Sequence, residues 1–75
     1  MAEQTIRLIY PSSMVNVPVI NQLIRNYEVT VNIVGAQVTG GEGWIDIQIS
    51  GDALIIGDAL QWLKGQGIEV NPILD

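Results

Sequence analysis

Residues Tyr27–Gly51 read YEVTVNIVGAQVTGGEGWIDIQISG, and this stretch decides the fold. Val29, Val31 and Ile33 fall two apart, as do Ile45, Ile47 and Ile49, which is the period of a strand with one apolar face. Between the two runs stands Gly40-Gly41-Glu42-Gly43, able to supply the positive φ angles of a tight reversal. The stretch is predicted to be a β-hairpin. Its second face carries Thr30, Asn32 and Val34 on one strand and Trp44, Asp46 and Gln48 on the other. With the apolar face packed on helices, the second face looks outward, and function is expected there. Gly35 interrupts the first strand, the mark of a bulge or a close backbone approach.

Toward the amino terminus, Gln4–Tyr10 alternates with Ile6, Leu8 and Tyr10 on one face, a first strand ended by Pro11-Ser12-Ser13. A helix is expected from near Val17, with Asn16 or Val17 as its cap and Pro18 in the first turn. Ile20, Leu23, Ile24 and Tyr27 would form its buried stripe. Toward the carboxyl terminus, Asp52 is a good N-cap, and Ile56, Ala59, Leu60 and Leu63 give a second helical stripe, widened by Ile55 and Trp62. Gly57 inside that helix is expected to mark close packing on the sheet, and Gly65 or Gly67 to close the helix in the left-handed region. Ile68, Val70 and Ile73-Leu74 make a last strand, which Pro72 assigns to a sheet edge.

The order is β-α-β-β-α-β. With right-handed crossovers it gives an α+β, ferredoxin-like fold: a four-stranded antiparallel sheet, order 4-1-3-2, with both helices on one face. Residues 1–75 are expected to form a single domain, and the amino-terminal Met1 fits a whole natural chain or an excised domain equally. The sheet face away from the helices is left uncovered, and Arg7 and Ile9 of the first strand join the hairpin residues on it. Ile9, Val34 and Trp44 make that face more apolar than a solvated surface requires, so it is a candidate contact surface.

Composition narrows the function. The net charge is −5 with three basic residues, Arg7, Arg25 and Lys64, so no basic stripe exists to neutralise nucleic-acid phosphates or anionic lipid. No apolar run approaches the roughly 18 residues of a spanning helix, and Met1-Ala2-Glu3-Gln4 is not the start of a signal peptide, so a cytoplasmic location is expected. Hydrophobic residues make up 48% of the chain and charged ones 15%, which leaves apolar surface for self-association once the core is filled.

Chemistry points away from catalysis. Without histidine or cysteine, the commonest general base and the strongest nucleophile are missing, and Glu28, Glu42, Asp46 and Asp58 show no catalytic or metal-ligand spacing. The glycine cluster is no phosphate loop, because it lies in a hairpin and carries no Gly-Lys-Ser/Thr. Trp44 beside Asp46 is not the aromatic and basic platform of an RNA-binding sheet. No enzyme activity, metal or cofactor is expected. Asn32 is polar within an apolar strand, and its amide can hold a small molecule or simply bond to water.

The run Val31-Asn32-Ile33-Val34-Gly35, followed by Gly43-x-x-x-Ile47 and Gly51, resembles the NIL domain family, named for an Asn-Ile-Leu run in the second strand. Pro18-Val19-Ile20, Ala59-Leu60-x-x-Leu63 and Gly67-Ile68-Glu69-Val70 extend the likeness from about Thr5 to Ile73. The chain departs from the family at Val34, where leucine is usual, and at Pro11-Ser12-Ser13, where many members carry glycine. NIL domains occur at the carboxyl end of methionine-importing ABC transporter ATPases and fused to some ferredoxin-like proteins. What the resemblance implies is an ACT-like regulatory module that pairs with its twin and binds methionine near the shared interface. Asn32 is then the residue carried over to ligand binding, with Val34 and Gly35 at neighbouring motif positions and Ile33 directed into the core. Ile9, Thr30, Trp44, Asp46 and Gln48 remain the exposed contact face. No nucleotide-binding segment accompanies the motif, so a homodimer or higher homo-oligomer would act on a partner such as an ABC transporter component, buffer a ligand, or have lost binding altogether. The alternative is a ligand-free module that docks a transporter subunit or redox protein, or that only oligomerises.

Overall fold

The computed structural model describes residues 1–39 and 42–73. Strand β1 (Ala2–Tyr10) pairs antiparallel with β3 (Glu42–Gly51) on one side and with β4 (Glu69–Pro72) on the other. Strand β2 (Val29–Thr39) completes the hairpin with β3, so the sheet order is β2-β3-β1-β4, with β2 and β4 at the edges. Helices α1 (Val19–Asn26) and α2 (Ala53–Gly65) cover one face. The core they close contains Ile6, Leu8 and Tyr10 of β1, Ile47 and Ile49 of β3, Val19 and Leu23 of α1, and Ile56, Ala59 and Leu63 of α2. Alternation in β1 and β3 places every one of those strand side chains on the same side. The expected ferredoxin-like order is the observed one.

Local departures have local causes. β1 starts two residues earlier than expected, paired through Ala2 to Gly51. Between β1 and α1 the chain makes a 3-10 turn, Ser12–Met14, and α1 starts at Val19 with Pro18 at the cap position, rather than Asn16 or Val17. Val19 and Leu23 are therefore the buried centre of α1. Ile24, about 100° around the helix from Leu23, is 46% exposed and is not part of the buried stripe. In α2, Gly57 marks no close packing, since an added Cβ there would meet nothing within 4 Å.

The ends of α2 follow the sequence closely. Oδ1 of Asp52 accepts the Leu54 N–H at 2.9 Å. At the other end, Gly67 takes φ +89° and donates to the Lys64 carbonyl while Ile68 donates to that of Leu63, a Schellman closure that selects Gly67 over Gly65. Ile68 is buried as the chain enters β4, and Leu74 lies outside the described residues. Gly40 and Gly41 of the expected reversal also lie outside them. Gly43 is not part of the reversal; it belongs to β3, opposite Tyr10 and Val38.

Strand β2 departs most from simple alternation. Ile33 faces Ile47 and Gly35 faces Asp46, so Val34 is an extra residue, a β-bulge. Ile33 was expected in the core but is 56% exposed. It lies on an edge strand, just before the bulge, beyond the cover of the helices. The bulge also reverses the alternation: Gly35 takes the open-face place expected of Val34, and Ala36 pairs with Ile45 on the other side.

Candidate site on the open sheet face

Cross-strand register assembles the face opposite the helices. Ile9 sits across from Trp44, Arg7 from Asp46 and Thr5 from Gln48; on the other flank of β3, Gln48 faces Asn32, Asp46 faces Gly35 and Ser50 faces Thr30. The expected residues Asn32, Gln48, Asp46, Trp44 and Ile9 thus form one contiguous patch with Gly35. Thr30 extends it along β2. Val34 is exposed, at the bulge, outside that alternating row.

Arg7 organises the centre. Its Nε–H donates to Asp46 Oδ1 at 2.7 Å and its Nη2–H to Oδ2 at 3.0 Å, a two-pronged fork. The same guanidinium carbon lies 4.2 Å from the centre of the Trp44 ring, a cation–π stack. Hydrogen bonding to Arg7 holds the Asp46 carboxyl below its ordinary value, and the reciprocal bond raises the Arg7 guanidinium. Arg7 was placed on this face by alternation, but its fork was not foreseen. The signal was its position directly across from Asp46 on the adjacent strand, legible only once register is known.

The edge of the patch differs in character. Asn32 is exposed, and among the described residues its amide makes no side-chain hydrogen bond. Gln48 beside it is half-buried. Two amides with no side-chain hydrogen bond among the described residues, Asn32 on the edge strand and Gln48 on its inner neighbour, therefore stand across from each other, one step along the sheet from the Gly35–Asp46 pair at the bulge. The chemistry suits recognition of polar groups with an apolar body nearby. Neither of two surface depressions includes Asn32. One, about 480 Å³, lies between the end of α1 and the start of α2. The other, about 40 Å³, lies beside Tyr10, Val15 and Trp44. Within one chain the Asn32 patch is open.

This chain is similar to several known proteins in sequence or in fold. A Synechocystis sp. protein described as uncharacterised is 33% identical over 75 residues, spanning 97% of this chain and 75% of that one. The crystal structure of the C-terminal domain of an ABC transporter ATP-binding protein from Enterococcus faecalis superposes with a TM-score of 0.82 at 24% identity, covering 93% of this chain and 82% of the other. A de novo designed protein, Foldit4, shares the fold at a TM-score of 0.58 and 15% identity, over 97% of this chain and 96% of its own. The NIL domain family model matches residues 4–72. Nearly the whole described fold, Asn32 and the bulge included, lies inside that match: the chain belongs to the NIL domain family.

Proposed function

We propose that this NIL domain is a regulatory module that binds a small amino acid, methionine above all, at Asn32, and does so as a dimer. The observation that carries the reading is the unengaged Asn32 amide on the outermost strand, between Gln48 and the Val34–Gly35 bulge. An amino acid presents an ammonium, a carboxylate and a side chain. Asn32 and Gln48 offer donors and acceptors to the first two, and exposed Val34 with the Trp44 ring offers apolar surface to the third.

A patch that is open in one chain needs a lid, and β2 is an unpaired sheet edge beside it. A second copy set against that edge would enclose the ligand between two chains, so binding and pairing would strengthen each other. Membership of the NIL domain family, and the fold shared with the C-terminal domain of an ABC transporter ATP-binding protein, support a transporter component as the partner on which the module acts, and a cytoplasmic, non-enzymatic role accords with that reading. No described helix is long and apolar enough to cross a membrane.

Sedimentation velocity with and without L-methionine tests this reading. Methionine should move the population toward the dimer in the native protein and leave Asn32→Ala unmoved. An oligomeric state indifferent to methionine in both would favour the ligand-free docking role instead.

A further inference from the structure

We propose that the groove where α1 ends and α2 begins is a second binding site, for a small organic cation: a primary ammonium on an apolar chain. It meets the Asn32 patch at Thr30, which lines the groove, but Asn32 is not part of it and the proposal does not depend on that residue. At about 480 Å³ the groove falls within the range of roughly 300–1,000 Å³ in which small-molecule clefts lie. Ile24, Tyr27 and Ile55 supply apolar wall, and Ile24 is 46% exposed here, which a helix stripe packed only for the core does not require.

Charge selects the occupant. Glu28 and Asp52 both line the groove, and no lysine or arginine does. Both carboxylates are exposed, and among the described residues neither is in an ion pair; the bridge found is Arg7 to Asp46 on the opposite face. Met1 also lines the rim, and its amino group makes no such pair. The positive pole of α2 reaches the same place, but it amounts to about half a charge and the Asp52 side chain already caps it. The negative pole of α1 adds to the carboxylates. Tyr27 brings an aromatic ring, whose face attracts cations. An anion would meet two carboxylates, and a zwitterion would bring its own carboxylate against them.

The test is an amide chemical-shift titration of the full chain with n-hexylammonium chloride, matched against hexan-1-ol, sodium hexanoate and L-methionine. The proposal expects saturable shifts on Glu28–Thr30 and Ser50–Ile55 with the amine, and none at Asn32. The double variant Glu28→Gln, Asp52→Asn should weaken amine binding by about tenfold or more. Asparagine is as good an N-cap as aspartate, so α2 survives the change, and an unchanged spectrum away from the groove verifies it. Three results would each overturn the proposal: no saturable shift with the amine, equal binding of hexan-1-ol or methionine in the groove, or undiminished binding by the double variant.

Discussion

Gly35 lies directly beneath Trp44: a Cβ built on the glycine would stand 3.8 Å from Cζ3 of the indole. Asp46, the register partner of Gly35, is forked by Arg7, and Arg7 in turn stacks on Trp44. Bulge, indole, guanidinium and carboxylate therefore close a ring of contacts beside Asn32. Gly35 has no positive φ, and 3.8 Å is ordinary van der Waals distance. Gly35→Ala should accordingly stabilise the fold by up to about 1 kcal/mol, through lost freedom of the unfolded chain. Gly35→Ile must push the indole aside and should lower stability instead. Chemical denaturation of the two variants checks both signs.

The Arg7–Asp46 fork makes a statement about pH. Asp46 has its carboxyl lowered from an ordinary 3.8, chiefly by the hydrogen bond from Arg7. A depressed carboxylate contributes stability in full above its unfolded value and loses it as pH falls through the folded one. The native protein should therefore lose stability below about pH 4 more steeply than Asp46→Asn. Unfolding midpoints measured from pH 6 down to pH 2 would show the two curves converging at the acid end.

Two isoleucines directly opposite one another should respond very differently. Ile47 is fully buried, and its partner Ile33 is 56% exposed. Ile47→Ala should cost about 2–5 kcal/mol, whereas Ile33→Ala should cost under about 1 kcal/mol. Denaturant midpoints would report the difference. A surface isoleucine on an edge strand is also available to a second copy, so the Ile33 variant should shift association more than stability.

Gly51 is held at φ +153°, and an added Cβ would stand 3.3 Å from the Glu28 carbonyl oxygen. Gly51→Ala combines backbone strain with crowding against main chain that has little room to give. A loss of about 1–3 kcal/mol is expected, read as a lowered thermal midpoint.

Much of the architecture was legible because it is local. Ile45, Ile47 and Ile49 alternate, Asp52 caps, and Gly67 closes α2 where its neighbours demand a left-handed residue. Gly35 was legible as an irregularity, though not as one that moves Val34 out of the row. What stayed hidden depends on what lies alongside. Ile33 has the spacing of a core residue, and only its place on the outer strand exposes it. Gly57 looked like a packing glycine because the side that α2 turns to the sheet is settled by Ile56 and Ala59 together. The α1–α2 groove was invisible in sequence, since Glu28 and Asp52 belong to segments that only the folded sheet brings together.

Whether Asn32 holds an amino acid is read by thermal unfolding in millimolar excess of each of the twenty. A ligand that binds only the native state raises the midpoint by mass action. Methionine and its close analogues should raise the midpoint of the native protein and leave that of Asn32→Ala unmoved. A midpoint that no amino acid moves, or a methionine shift that persists without Asn32, would contradict amino-acid binding at Asn32.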